Sequence, residues 1–436
     1  MVFDDFRRKR RRKSTVRRIE KELREKGIEL SSAIRETVSV IGERTDQEYT
    51  TYLEALRDGA VLIAEGGINP HVALLCGNRI SRLIAMTETP ETFYQFLEKL
   101  SQLGTRLTRD YENPVNPLMV ALNHVPKNVT TITQFEEHLR QYERYFRLVA
   151  KPTDKPPYHS DKFYDLQKAA ESLEEICLGV DCLEMASNAG IYNYVDHYVN
   201  HELPYYCIKA AKRLPSLGQY KQRFSKLVAS LNGKFFPRVK SYGAPVVALI
   251  AGTDDEIERE FNVLERFKER AEKIGEFPGT AVMELVSVVS DHEGYVASLD
   301  SIAKLVEASS TIPVERWKIV IPHYRGIVTT SENASQAAEY VDCYIAFWQK
   351  MNSNPTYHED YGWGGSVSGF VEPQAINQLP LIAQMRRKYG DFEVNLTVST
   401  HTEHCSGGYW GGDSFMQPFD FKQIDSVKID IKPPAS

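Results

Sequence analysis

The segment from Arg7 to Arg18 constrains this chain more than any other, because so dense a run of charge cannot enter an apolar core. It holds nine Lys or Arg residues and no acidic residue. The whole chain carries 53 Lys and Arg against 59 Asp and Glu, a net charge of −6. Without the nine, 44 basic residues face 59 acidic ones, a net charge of −15. The sequence therefore predicts a cationic arm on an acidic body.

The charge density of the arm predicts its conformation and its ligand. Like charges this close repel one another, so we expect an extended or frayed segment until a polyanion neutralises it. Phosphate contacts release counterions, which makes such binding independent of base sequence and strongly salt-dependent. No aromatic residue lies between Phe6 and Tyr49, so base stacking is not indicated. A nuclear-import signal and a solvated tail without a specific role have the same composition and remain open.

Length and composition set the broad class. The 436 residues are enough for two or three domains. No apolar run approaches the roughly 18 residues of a membrane span, and no apolar segment of a secretory signal follows the basic run. Six Cys without a CxxC pair predict reduced, buried thiols. We expect a protein of an intracellular space or of an assembly, with no membrane partner.

Pattern changes divide the chain into four predicted regions. Residues 1–35 form the basic arm and a short helix that Gly27 ends, and residues 36–150 form a helical body. Residues 151–242 form a second helical region after the Pro-rich linker Lys151 to Pro157. Residues 243–436 form a mixed α/β region. The predicted fold class is α+β and helix-rich, with a mainly helical amino-terminal half and a mixed strand/helix carboxyl-terminal half.

Strand-like and helix-like segments alternate after Gly243. Ala281 to Val289, Trp317 to Ile321 and Phe392 to Thr400 have strand patterns, and Asp254 to Ile274 has a helical one. This alternation favours βαβ units around a sheet. In a parallel sheet the carboxyl ends of the strands meet at one edge, where ligands of such sheets bind.

One alternative interpretation is a metal-dependent α/β enzyme built at that edge. Imidazole and carboxylate groups there would serve a divalent metal or acid-base chemistry. Loops hold polar residues in any case, so the pattern is not specific. No GxxxxGK[ST], no GxSxG and no GxGxxG after a strand is present. The candidate residues are His292, Glu293, His323, His401 and His404.

An arginine-rich amino-terminal arm, Arg7 to Arg18, on an aromatic-rich body without a catalytic motif resembles the layout of viral capsid proteins. The length and the helical first half are more similar to the capsid proteins of small double-stranded RNA viruses, of the partitivirus and picobirnavirus type, than to all-β jelly rolls. The resemblance is one of layout, and the strand-helix alternation after Gly243 departs from it.

The resemblance implies a shell of many identical copies, built from dimers, in the virion and the host cytoplasm. The arm would face inward and neutralise genomic RNA without a cofactor and without a catalytic or metal site. A cellular nucleic-acid-binding protein or nuclear adaptor is the other alternative. The implied RNA-binding residues are Arg7, Arg8, Lys9, Arg10, Arg11, Arg12, Lys13, Arg17 and Arg18.

Overall fold

The computed structural model has an α+β, helix-rich fold, which confirms the predicted class: the amino-terminal half is helical and strands occur only near the carboxyl terminus of the described chain. The predicted linker from Lys151 to Pro157 lies outside the described residues. The structure describes residues 2–42, 44–70, 79–87, 89–110, 125–149, 166, 169–191, 199–231, 237–274, 277–308, 316–362, 365–406, 408–409, 415–416 and 419–434.

The chain divides into two compact units, Met1–Asn232 and Gly233–Ser436. The described elements of the first unit are helices. They are α1 Val2–Glu25, α2 Ser31–Val40, α3 Asp46–Glu65, α4 Arg79–Met86, α5 Pro90–Asp110, α6 Ile132–Val149, α7 Leu173–Asn188, α8 Val199–Ala211 and α9 Leu217–Ser230.

The basic arm is helical, so the prediction of an extended or frayed arm is wrong. Helix α1 runs through the whole basic segment, and Gly27, with φ of +74°, follows its end. Its inner face packs against α3. Ion pairs with acidic residues of α1 and α3 offset the repulsion among the cations, and apolar contacts hold the second half of the helix.

The centre of the first unit is the packing of α3 against α5. The rings of Tyr52 and Phe93 lie 5.9 Å apart between these helices. Gly59 lets the two helices approach closely, because a Cβ atom at this position would lie 2.3 Å from Leu97 Cδ1. Thr89 accepts a hydrogen bond from the Thr92 amide and so caps the start of α5. This packing fixes α3, and α3 in turn carries α1.

The second unit combines helices with two antiparallel strand pairs. A layer of aromatic side chains, which includes Trp348 and Tyr344, forms part of its core. Among the helices that the structure describes, none has both the length and the apolar character to cross a membrane. The elements are α10 Pro237–Ile250, α11 Asp254–Ile274, α12 Gly279–Glu284, α13 His292–Glu307, α14 Arg316–Thr329, α15 Ala334–Asn352, α16 Val367–Val371, α17 Leu379–Tyr389, β1 Glu393–Cys405, β2 Gly408–Tyr409, β3 Phe415–Met416 and β4 Phe419–Lys432.

The strand predictions have a mixed outcome. The strand predicted from Phe392 to Thr400 is confirmed, because β1 begins at Glu393 and continues through this segment. The strand predictions for two other segments are wrong, because both segments lie in helices or in the turn that follows a helix: Ala281 to Val289 and Trp317 to Ile321. The strands form antiparallel pairs, β1 with β4 and β2 with β3. The predicted βαβ arrangement with parallel strands is therefore wrong for the described part of the chain.

The β1–β4 hairpin is covered only along its first part. One face there carries Leu396 and Val398 of β1 and the buried residues Val427 and Ile429 of β4. Beyond the irregularity in register between Ser399 and Thr400, the β1 side chains up to His404 are exposed. The hairpin thus extends past the core that supports its base.

Candidate nucleic-acid interface

Three apolar positions of α1 place it on the body. Val16 is half-buried, and Ile19 and Leu23 are 0% and 1% exposed. Their spacing of three and four residues puts them on one side of a helix. This side faces α3. These three residues form an apolar seam that fixes the orientation of α1 on α3. This orientation determines the direction in which each basic side chain points.

The start of α3 supplies the polar part of the contact. Thr45 Oγ1 accepts a hydrogen bond from the Glu48 amide, and the Glu48 carboxylate accepts one from the Thr45 amide at 3.0 Å. This capping box begins α3 at Asp46. The Asp46 carboxylate therefore lies in the first turn of a helix, where the helix dipole favours negative charge.

Two arginines of α1 bind this turn. Arg12 donates to the Asp46 carboxylate at 2.9 Å, to the Gly42 carbonyl at 2.5 Å and to the Arg44 carbonyl. Arg8 donates to the same carboxylate at 3.1 Å and to the Arg44 carbonyl at 2.6 Å. The Arg12 guanidinium also lies 4.4 Å from the centre of the Tyr49 ring, within range of a cation–π contact. The Arg12 side chain is only 15% exposed, and these contacts lie within the molecule.

A second cluster of charge fixes α1 one to two turns further on. Arg18 donates to Glu54 of α3 at 2.7 Å and to Glu22 of its own helix at 3.1 Å. Arg57 of α3 donates to Glu22 at 2.7 Å. The cluster thus joins the two helices through alternating charges. The hydrogen bond between Arg18 and Glu54 raises the pKa of Arg18, so this guanidinium stays charged throughout the ordinary pH range.

The same contacts lower the pKa of the acidic partners. The hydrogen bond from Arg12 lowers the pKa of Asp46, with a smaller effect from Arg8. The hydrogen bond from Arg57 lowers the pKa of Glu22, and Arg18 adds to it. A carboxyl group whose pKa falls on folding stabilises the folded state above its unfolded pKa, about 4 for Asp and Glu, and loses this contribution as the pH falls through its folded pKa.

We expect the docking of α1 to weaken at acid pH, below about pH 4. Asp46→Asn should lower the protection of α1 amides two- to fivefold near neutral pH, corresponding to about 0.5–1 kcal/mol for a carboxylate that is 39% exposed and screened by solvent. Hydrogen exchange of residues 8–18, corrected for the intrinsic rate at each pH, measures this effect.

The difference between the wild type and Asp46→Asn should shrink as the pH falls below about 4, because the wild-type carboxylate becomes protonated there. Glu48→Gln is a useful comparison, since it changes the cap of α3 without touching Arg8 or Arg12. An equal pH dependence in the wild type and Asp46→Asn would show that this carboxylate does not hold α1.

Eight of the nine predicted binding residues fall into two sets with different contacts. The inward set makes ion pairs within the molecule and consists of Arg8, Arg12 and Arg18. Lys9 is exposed and has a contact of its own. The outward set is exposed and makes no side-chain hydrogen bond or ion pair with the residues that the structure describes; it consists of Arg7, Arg10, Arg11, Lys13 and Arg17.

Helical geometry arranges the outward charges in a row. Steps of three and four residues lead from Arg10 through Lys13, Arg17 and Lys21 to Arg24, all of them exposed. This row is about 21 Å long at about 1.5 Å per residue. No acidic residue interrupts the segment from Phe6 to Ile19. From Arg10 to Arg17 the row thus presents a fixed line of positive charge to solvent, whereas Glu20 and Glu25 lie beside Lys21 and Arg24.

Two members of the row were missed from sequence. Lys21 and Arg24 lie beyond the basic run, among acidic residues, and the prediction ended at Arg18. Lys21 lies 3.7 Å from Glu25, in a pair exposed enough for solvent to screen it. The signal that finds both residues is helical spacing from Arg17, which requires knowing that α1 is one continuous helix.

The four histidines named for the enzyme alternative each contact a different residue. His292 Nδ1 lies 2.8 Å from the buried Glu260 carboxylate, at the start of α13. His323 is in α14 beside the Tyr344 hydroxyl, and burial lowers its pKa. On β1, His401 and His404 lie 2.5 Å and 2.7 Å from Asp425 and Asp420.

These positions contradict the predicted convergence at strand ends. His292 and His323 are on helices, and the two β1 histidines are three residues apart, on opposite faces of a strand. Glu293 is exposed in the first turn of α13. Within the described ranges, no group of three or more His, Cys, Asp or Glu side chains is placed to hold a metal ion.

The outward row of α1 is therefore the arrangement that carries a functional interpretation. A row of exposed cations of this kind can contact closely spaced anionic groups by charge, without reading a base sequence. Beside its second half lies an open pocket lined by Arg17, Glu20, Lys21, Arg24 and Glu25. Comparison of the chain with protein-family models, with curated proteins and with solved structures finds no match.

Proposed function

We propose that this protein is a structural capsid protein that assembles into a shell of many copies and contacts packaged RNA through the outward face of α1. The observation that carries the proposal is the separation of the basic run by helix geometry. Three arginines hold α1 to α3, while the outward set faces solvent and makes no ion pair with the described residues. The charges of the outward set are therefore more accessible to phosphates than that of Arg12, whose side chain is 15% exposed.

The charge of the rest of the chain supports binding in one orientation. Outside the nine basic residues of the run, the chain has a net charge of −15. An anionic polymer is attracted to the α1 face and repelled by the acidic remainder. The same distribution suits a subunit with one surface toward packaged RNA.

The weak binding expected of a single row favours an assembly of many copies. A row of about five cations binds a polyanion weakly at physiological salt, because each phosphate contact loses affinity as salt rises. Linking many rows in one particle makes later contacts intramolecular and raises the overall affinity steeply. Many identical copies, with dimers as the building unit, give this effect without a sequence-specific site or a cofactor.

The mass of the native particle tests the proposal, measured by light scattering or negative-stain imaging with absorbance at 260 and 280 nm on the same sample. We expect particles far larger than a dimer that carry nucleic acid. Replacing the outward set with glutamine should leave particles that form but contain much less nucleic acid.

A small oligomer free of nucleic acid would contradict the shell. A monodisperse monomer that still binds RNA would favour the cellular nucleic-acid-binding protein, since the outward row serves both functions. The particle mass separates the two, because only the shell requires self-assembly.

A further inference from the structure

Ser14 lies on the exposed side of α1, within the outward charges. Its side chain is exposed and has no hydrogen bond with a described residue. Residues three and four positions away are its neighbours on a helix surface, at Cβ distances of about 5–6 Å. All four of these are arginines: Arg10, Arg11, Arg17 and Arg18.

The part of α1 around Ser14 is held less firmly than the part that follows. No residue from Phe6 to Arg18 is buried, and Ile19 is the first buried residue among the described side chains of the helix, which begin at Phe6. The polar contacts of Arg8 and Arg12, the cation–π contact of Arg12 and the pairs of Arg18 hold this first segment. Segments with few buried apolar contacts open locally at a small free-energy cost. Ser14 can therefore reach an enzyme cleft that accepts an extended chain.

We propose that Ser14 is a phosphorylation site for an arginine-directed serine/threonine protein kinase, and that the modification weakens the binding of polyanions to α1. The second part rests on the proposed function. Six consecutive basic residues, Arg7 to Arg12, and Lys13 lie directly on the amino-terminal side of Ser14. Their charge complements an acidic substrate cleft.

The reaction is an ordinary phosphoryl transfer. The Ser14 Oγ atom attacks the γ-phosphorus of ATP, the bond from this phosphorus to the β–γ bridging oxygen breaks, and ADP leaves with the electron pair. The hydroxyl proton passes to the catalytic carboxylate of the kinase. The products are ADP and a phosphoserine with a charge of about −1.5 to −2 near pH 7.

Thr15 is the neighbouring hydroxyl, and the structure separates the two. Thr15 is half-buried toward the body, and its hydroxyl donates to the Arg11 carbonyl at 3.3 Å. The Ser14 hydroxyl makes no such contact and points away from α3. The geometry therefore assigns the modification to Ser14.

A phosphate on Ser14 would act through the arginines around it. Arg10, Arg11 and Arg17 would form charge-assisted hydrogen bonds with it, and they would then be less available to RNA. If two cations are neutralised, the affinity for a short RNA duplex should fall about 60-fold at about 0.1 M salt, and the slope of log K against log salt should fall by about 1.8.

The experiment treats the purified full-length protein and Ser14→Ala with ATP and the catalytic subunit of cyclic-AMP-dependent protein kinase. Mass spectrometry locates the phosphate, and a labelled short RNA duplex measures affinity across a salt series. We expect phosphate on Ser14, none at this position in the variant, and weaker binding that a phosphatase restores.

Each negative result of this experiment tests a different part of the proposal. Absence of phosphate from Ser14 would overturn the modification site, whatever the RNA binding. Phosphorylated protein that binds the duplex as tightly as unmodified protein would overturn the effect on binding. If the unmodified protein does not bind RNA, the proposed function fails, while the mass spectrum still decides whether Ser14 is modified.

Discussion

Replacing all five residues of the outward set with glutamine is expected to lower the affinity for an RNA duplex by about 500-fold at about 0.1 M salt, if three of the five contact phosphates at one time. The slope of log K against log salt should become less steep by about 2.7. Fluorescence anisotropy with a labelled duplex across a salt series measures both quantities. The fold should be unaffected, because these side chains make no contact that holds α1 to α3.

The matched control replaces five exposed cations elsewhere in the chain and so changes the net charge equally. A loss of affinity as large in this control would show that net charge, rather than the row on α1, determines binding. The control positions are Lys127, Lys226, Arg266, Lys273 and Lys422.

Ile19→Asp is expected to release α1 from α3. Ile19 is 0% exposed, and its burial contributes about 2 kcal/mol, so hydrogen exchange of the α1 amides should accelerate at least about 30-fold. The added carboxylate opposes docking further, because the contact would bury it without a partner. Exchange in α5 should remain slow, since its packing on α3 does not involve Ile19.

Ser14→Asp is the control for Ile19→Asp, because it introduces the same charge on the exposed side of the same helix. It should leave the exchange of α1 nearly unchanged. If Ile19→Asp also leaves the protection of α1 intact, the apolar seam is not what holds this helix.

The basic arm shows how far sequence alone could go. Charge repulsion predicts an extended segment, and that argument considers only near neighbours in sequence. Asp46 and Glu54, which neutralise Arg12 and Arg18, lie 34 and 36 residues away. The spacing of Val16, Ile19 and Leu23 was the local evidence for a docked helix. Composition identified the basic segment, but the division into inward and outward sets required the fold.

The segment Ala281 to Val289 shows why a buried run is ambiguous. Most of its residues are apolar, and those from Ala281 to Val286 are all at most 1% exposed. A segment buried on every side has no polar face, so neither the period of a helix nor that of a strand is visible. Phe392 to Thr400 could be predicted because one face of the hairpin is covered and the other is not.

With the function proposed above, the docking of α1 on α3 also affects the rate at which the protein binds RNA. Ordering a flexible segment costs about 1–2 kcal/mol per residue, and a disordered arm must meet this cost when it binds. In this protein the backbone of the row is already ordered by its contacts with α3. Association should therefore proceed at a rate set by diffusion and electrostatic attraction, without a slower folding step after the first encounter.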